Sequence, residues 1–153
     1  MKNQTHLLFA ILFGIVYFEH FYAPNQKTAI IFSVGLLIGY LLPDIDEPKS
    51  TLSQKIPIIP SIISLFTKHR GIFHTLWIPI LFYGASFIFP LPFFFTGLAI
   101  GYVSHLTADM LTVSGIRPFY PLTRLKIKGR VKTGSFLEKI LFLAIISYIL
   151  LTL

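Results

Sequence analysis

The stretch GLAIGYVSHLTAD, residues 97–109, decides the fold that we predict for this chain. Every fourth position in it is small or polar: Gly97, Gly101, His105 and Asp109. Side chains spaced four residues apart share one face of an α-helix. Glycines on that face allow a neighbouring backbone to come close, as in the small-xxx-small contacts of membrane helices. The stretch therefore predicts a helix with a close helical neighbour and a histidine–aspartate pair near its end.

A matching stretch, GLLIG at residues 35–39, leads into LLPDIDEP at residues 41–48. If the two glycine faces meet, Asp44 and Asp46 come close to the histidine–aspartate pair. Both aspartates can point the same way, because side chains separated by two residues share one side of an extended chain. Simpler explanations stay open. In these explanations the glycines serve packing alone, the aspartates end a helix in solvent, and the histidine–aspartate pair forms one interhelical hydrogen bond.

Composition indicates an integral membrane protein. Of the 153 residues, 54% are hydrophobic and 12% are charged, against about 25% charged in soluble proteins. The lack of cysteine excludes disulfides and thiolate metal ligands. Since only helices or closed barrels satisfy the backbone in lipid, we predict an all-α integral membrane bundle as a single domain, residues 1–153. It has about five transmembrane helices of about 20 residues, at residues 6–22, 27–43, 71–89, 93–111 and 135–153, and one interfacial helix between residues 57 and 68.

Lysine and arginine are distributed unequally between the two ends of these helices. With alternating spans, every cation except Lys27 falls on the side that holds the N-terminus, the 44–70 loop and the 112–134 loop. Cytoplasmic loops of membrane proteins carry the excess of Lys and Arg. We therefore predict a multi-pass protein of the cytoplasmic (inner) membrane, with its N-terminus in and its C-terminus out.

Most of the ionisable residues gather on the same side as these cations, whereas Glu19 and His20 fall at the far end of the first span. Such groups cost several kcal/mol near hydrocarbon unless they are paired or metal-bound, so they indicate a functional site facing the cytoplasm. Imidazole and carboxylate without thiolate suit one or two divalent ions, with Zn²⁺, Mn²⁺, Fe²⁺ or Mg²⁺ as candidates. The candidate metal ligands are His6, Asp44, Asp46, His74, His105, Asp109 and Glu138.

Glu138 has a second interpretation that is equally simple. It follows Ser135 in the S-x-x-E pattern of a capping box, in which the two side chains hydrogen-bond the first turn of a helix. The sequence leaves both roles open for Glu138: metal ligand or helix-cap partner.

The motif KHRGIFH, residues 68–74, supplies a further group of candidates. We expect His74 to be a metal ligand, and His69 and Arg70 to lie on the rim of the site with Arg117, where they contact an anionic headgroup. Arg70 suits a bidentate phosphate contact, although it could equally be a cytoplasmic anchor. The candidate catalytic residues are Asp46, His74 and Arg70.

Five ordered motifs, QTHLLF, GYLLPDIDEPKS, KHRGIFHTL, GYVSHLTADMLTVSGIRPFYP and KTGSFLEK, resemble the YdjM-type membrane-bound metal-dependent hydrolases. The resemblance covers nearly the whole chain. It implies a small multi-helix inner-membrane protein. Thr75 departs mildly from the family pattern, which usually reads Thr-His-Ser in this region, and the departure leaves the ligands intact. The metal site that the resemblance implies consists of His6, Asp44, Asp46, His74, His105 and Asp109.

A site at headgroup depth beside a basic loop favours membrane lipid as the setting and an anionic amphiphile as the substrate. We expect hydrolysis of a phosphoester or pyrophosphate in a phospholipid or polyprenyl phosphate. The alternative is a non-catalytic metal-binding membrane protein, such as a transporter or an assembly factor. The lack of an inverted repeat and the site at one membrane surface argue against transport. Nucleic acid is not expected as a partner, because RLKIKGRVK, residues 124–132, offers no aromatic side chain for base stacking.

Overall fold

The computed structural model describes residues 1–46 and 72–152, and of Asp46 the backbone alone. No β-strand forms among these residues, so the all-α class is confirmed. The 3₁₀ segment Leu42–Asp46 follows the second helix, so the extended chain expected at Asp44 and Asp46 is wrong. A second 3₁₀ segment, Ile72–His74, precedes the third helix. The α-helices are α1 (Asn3–His20), α2 (Gln26–Leu41), α3 (Trp77–Ala85), α4 (Pro92–Met110) and α5 (Phe136–Thr152).

Short-range signals explain where two of these helices begin. Asn25 precedes α2, and its side-chain oxygen accepts a hydrogen bond from the Thr28 N–H at 3.0 Å. This contact satisfies one of the amides that a helix start leaves without a partner. Pro92 is the first residue of α4, a position at which its fixed φ suits a helix and its missing N–H costs nothing.

The contact between α2 and α4 is backbone on backbone. A Cβ atom at any of the glycines on the facing surfaces would overlap a carbonyl oxygen of the other helix, which leaves room for hydrogen alone. The close pairing predicted from the two glycine stretches is therefore confirmed. The glycines and the carbonyl oxygens that they contact are Gly35 with Phe94, Gly39 with Leu98, Gly97 with Phe32, and Gly101 with Leu36.

α4 is the central helix of the described bundle, since α1, α2 and α3 all pack against it, while α5 packs against α1. Phe9 of α1, Ala108 of α4 and two isoleucines of α5, Ile145 and Ile149, form one buried cluster. This packing brings the N-terminal ends of α1 and α5 to the same end of the bundle as the C-terminal end of α4.

The 112–134 segment folds back over the end of α4 without forming a helix, as its hydrophilic sequence predicts. Ile116 and Ile127 exchange two backbone hydrogen bonds of 2.9 Å. The segment is also tied to the start of α3, because the Leu76 N–H donates to the Pro118 carbonyl at 2.9 Å. The basic loop therefore lies beside the 3₁₀ segment that carries His74.

The third predicted span, residues 71–89, differs from the observed helix. α3 contains 9 residues, a length of about 14 Å at 1.5 Å per residue, whereas the hydrocarbon core is about 30 Å thick. Pro79 gives a physical reason for the late start, because proline is tolerated in the first turn of a helix and not in its interior. Beyond Ala85 the chain continues in tight turns as far as Phe89.

Among the described residues, one segment, Gln26–Ile45, is long and apolar enough to cross a membrane. The bundle of five spans and its orientation therefore stay predictions. The interfacial helix expected between residues 57 and 68 lies outside the described residues.

The α2–α4 contact predicts a contrast between two glycine-to-alanine substitutions. Gly35→Ala places a methyl group against the Phe94 carbonyl, and we expect overpacking to lower the free energy of unfolding by about 1–3 kcal/mol. Gly84→Ala, with nothing within 4 Å of the added methyl, should leave stability unchanged or raise it by up to about 1 kcal/mol. Unfolding in mixed detergent–SDS micelles, followed by circular dichroism, measures both. Equal effects of the two substitutions would contradict the interlocked contact.

Candidate metal centre

Residues from four separate elements meet at the end of the bundle where α4 terminates. His6 lies in the first turns of α1, Asp44 in the 3₁₀ segment after α2, and His74 in the 3₁₀ segment before α3. His105 and Asp109 occupy the last turns of α4. Because the α2–α4 glycine contact holds these two helices together, the convergence of Asp44 with His105 follows from the same sequence pattern that predicts the fold.

The cluster is buried, with one exception. His6, His74, His105 and Asp109 are 4%, 0%, 2% and 2% exposed, whereas the side chain of Asp44 is 37% exposed. Polar groups taken out of water need compensating partners. Asp44 is therefore the member of the described cluster at which the site opens to its surroundings.

The distances between ligand atoms are longer than those of an ordinary hydrogen bond, and the two shorter ones match a pair of ligands that share a cation. The Nε2 atom of His6 lies 3.3 Å from Asp109 Oδ1, and that of His105 lies 3.5 Å from Asp44 Oδ1. His74 Nε2 lies 3.7 Å from Asp44 Oδ1 and 3.6 Å from Asp109 Oδ2. Hydrogen bonds of this type are normally about 2.7–3.2 Å long. Two ligands that each bind one cation at about 2.0–2.2 Å are roughly 3–3.5 Å apart.

The backbone orients two of the imidazole rings. His105 Nδ1 donates to the carbonyl oxygen of Tyr40 at 2.8 Å, and His6 Nδ1 donates to that of Lys2 at 3.2 Å. A carbonyl oxygen can only accept, so both rings carry a proton on Nδ1 and present Nε2 to the carboxylates. Metal-binding histidines are oriented in this way.

The described residues contain two groups that could hold a metal ion: His6, His105 and Asp109, and Asp44, His74 and His105. Within each group the ligand atoms lie within 4.8 Å of one another. Asp109 connects the groups, because its Oδ1 faces His6 and its Oδ2 faces His74. The amino group of Met1 also lies 3.6 Å from Oδ1. Imidazole nitrogen with carboxylate oxygen fits Zn²⁺ or Mn²⁺. Because Asp109 lies between the two groups, the cluster is compatible with one ion or with two.

The other predicted site residues are placed differently. Glu138 belongs to neither group of possible ligands in the described chain, and its backbone N–H donates to Ser135 Oγ at 3.4 Å, which matches the cap interpretation. Arg117 is exposed. His69 and Arg70 lie outside the described residues, as does the side chain of Asp46, so their predicted roles stay predictions.

The sequence reasoning missed the residues that hold the His74 segment. The Tyr102 hydroxyl donates to the Phe73 carbonyl at 2.5 Å, and the Thr75 hydroxyl donates to that of Ile72 at 2.7 Å. Tyr102 and Thr75 are both fully buried. A tyrosine inside the helix that carries His105 was the available signal, since a buried hydroxyl needs a partner.

An apolar helical bundle with a buried histidine–aspartate cluster at one end defines a class: membrane proteins with a candidate metal centre. Large apolar side chains such as Phe87, Ile88 and Leu151 are mostly exposed, which suits contact with lipid. The chain belongs to the YdjM inner membrane protein family, which matches residues 1–152. Family membership supports a location in the inner membrane.

Individual relatives agree with this assignment. The chain is 33% identical to the uncharacterized protein YvsG of Bacillus subtilis, over 92% of this chain and 86% of the relative. It is 31% identical to the inner membrane protein YdjM of Escherichia coli, over 95% of this chain and 79% of the relative. The YdjM protein of Shigella flexneri matches to the same extent. No solved structure matches the chain.

The centre predicts which substitutions remove bound metal. Asp44→Ala, His105→Ala and Asp109→Ala each delete a proposed ligand, and we expect each to weaken metal binding by more than about 100-fold, since losing even an outer partner of a ligand costs about 10–100-fold. His20→Ala is the matched control, because His20 lies exposed at the opposite end of α1. Elemental analysis of the purified variants measures the metal content. Full metal content in all of them would place the site elsewhere.

Proposed function

We propose that the protein is a membrane-bound metal-dependent hydrolase of the cytoplasmic membrane surface. Its substrate class is a phosphoester or pyrophosphate of a lipid or polyprenyl phosphate. The observation that carries the proposal is the convergence of three imidazoles and two carboxylates on one point beside a basic loop. Hydrolysis adds the oxygen of water to phosphorus and breaks the bond from phosphorus to the leaving oxygen.

The roles of the residues follow from their positions. His6, Asp44, His74, His105 and Asp109 would hold one or two divalent cations. Bound there, a divalent cation supplies Lewis-acid polarisation of a phosphoryl oxygen and lowers the pKa of water. Asp44 is the exposed member of the cluster, so a substrate would enter on its side. Asp46, two residues further along the chain, is our candidate acceptor for the proton of the attacking water.

The surroundings of the cluster favour an anionic headgroup. The 112–134 segment carries no acidic residue, and the Leu76–Pro118 hydrogen bond ties it to the chain next to His74. Basic side chains near a membrane surface attract anionic lipid. Arg70 would add a bidentate contact to phosphate. The cations of the segment are Arg117, Arg124, Lys126, Lys128, Arg130 and Lys132.

An apolar groove supports an amphiphile rather than a small soluble phosphate. It has a volume of about 440 Å³ and is lined by Phe13 of α1, Leu76 and Tyr83 at α3, and Ala99 and Val103 of α4. Two of these helices carry histidines of the cluster, His6 on α1 and His105 on α4, and α3 follows shortly after His74. A hydrocarbon tail lying in this groove would run into the bilayer while the headgroup stays at the metal centre.

The competing function is a non-catalytic metal-binding protein, such as a transporter or an assembly factor. The observation in its favour is the nearly complete burial of the three histidines and Asp109, which suits holding an ion as well as it suits catalysis. Turnover separates the two functions.

The proposed orientation places the basic loop and the site in the cytoplasm. A reporter enzyme that is active in the cytoplasm should be active when it is inserted after Thr123, within the 112–134 segment. A reporter that is active outside the membrane should be active when it is fused after Leu153. The opposite pattern of reporter activities would refute both the orientation and the cytoplasmic site.

The proposed chemistry predicts phosphate release from a long-chain lipid phosphate, with loss on chelation and recovery on adding Zn²⁺ or Mn²⁺. Arg70→Ala should lower turnover roughly 10- to 100-fold, because one charge-assisted contact contributes about 1.5–3 kcal/mol. Metal content should stay unchanged, since the partner of Arg70 is a phosphate oxygen. Lys27→Ala is the matched control, because Lys27 lies at the other end of the bundle. Metal-loaded protein that releases no phosphate in detergent or in liposomes would favour the non-catalytic alternative.

A further inference from the structure

Glu138 is a buried carboxylate, 3% exposed, at the start of α5. Its Oε1 accepts hydrogen bonds from the backbone N–H of Lys2 at 2.6 Å and from the hydroxyl of Thr5 at 3.0 Å. Its Oε2 accepts the backbone N–H of Gly134 at 2.5 Å. Three donors on one buried carboxylate form a strong, charge-assisted arrangement. Two of these donors belong to the beginning of α1, more than 130 residues away in the chain.

The first turn of α1 is hydrogen-bonded to this distant carboxylate. Lys2 is the N-cap residue of α1, and its own side chain makes no capping hydrogen bond. The carbonyl oxygen of the same Lys2 accepts the Nδ1 proton of His6 at 3.2 Å. Lys2 is therefore bonded on its N–H side to Glu138 and on its carbonyl side to the imidazole ring of His6.

We infer that Glu138 is a positioning residue for the metal centre, which acts through Lys2 and Thr5 to hold His6 against Asp109. The inference rests on the proposed metal site, and it assigns Glu138 a place outside the set of ligands. His6 is the cluster member on α1, and its Nε2 faces Asp109 Oδ1. Displacing α1 would therefore disturb the group of His6, His105 and Asp109, and leave the group around Asp44 and His74 in place.

A role as helix cap alone makes a different prediction. The hydroxyl of Ser135 accepts the backbone N–H of Glu138 and caps α5, so both partners of this bond lie at the start of α5. Ser135→Ala therefore removes a cap contact and keeps the tie to Lys2 and Thr5. If Glu138 served α5 alone, the two substitutions would have similar effects on the metal centre.

The test measures Zn²⁺ affinity of the purified full chain in detergent, by competition with a chelator of known affinity. Glu138→Ala should weaken binding about 10- to 100-fold, the usual effect of losing a group that orients a ligand. Ser135→Ala should bind as the unmodified protein does. Glu138→Gln keeps one acceptor oxygen and should recover part of the affinity. Thr5→Val removes one of the donors with little change in shape, should weaken binding a few-fold, and carries the test if Glu138→Ala fails to fold.

A double-mutant cycle with His6→Ala identifies the route of the effect, because groups that act through one another are not additive. In the His6→Ala background, Glu138→Ala should cause little further loss of Zn²⁺ affinity. The same fold-change in both backgrounds would overturn the inference, as would normal affinity of Glu138→Ala or an equal loss in Ser135→Ala. An unmodified protein that binds no Zn²⁺ would refute the proposed centre, and the inference with it.

Discussion

The contact between α2 and α4 is the constraint on which the rest of the molecule depends. At the four glycines no side chain separates the two helices, so each backbone lies against carbonyl oxygens of the other, and the contact is made by van der Waals packing rather than by exclusion of water. It sets the position of the last turns of α4 relative to the 3₁₀ segment after α2. Asp44 and His105 are therefore neighbours because the glycines that precede them let the two helices come into direct backbone contact.

A concentrated set of ionisable groups in an apolar bundle is costly unless something compensates for their burial. The backbone compensates in part, through the carbonyl oxygens of Tyr40 and Lys2 that hold the outer nitrogens of two rings. The Nε2 atoms and the carboxylate oxygens face one another at 3.3 to 4.0 Å, and a cation among them would complete the compensation. In the function that we propose, the buried cluster and the basic loop have separate tasks, since the cluster holds a positive ion and the loop attracts a negative headgroup.

Regular spacing made much of this arrangement predictable. The four-residue repeat from Gly97 to Asp109 and the matching glycines before Asp44 identified the helix pairing and the approach of Asp44 to His105. The cap role of Glu138 was visible in S-x-x-E. The Lys2 and Tyr40 carbonyls could not be predicted, because every residue has a carbonyl and no pattern distinguishes those that are used. The length of α3 was missed because apolar composition was weighed above Pro79, which restricts where that helix can start.

The order in which the chain is made gives the cluster a further property. His6 and Asp44 leave the ribosome well before His105 and Asp109, and Glu138, which anchors the beginning of α1, is made after all four. During synthesis His6 and Asp44 are therefore present before His105 and Asp109 exist to meet them. Synthesis must reach the first turn of the last helix before the first helix has its final anchor, so the complete cluster can form only late in synthesis.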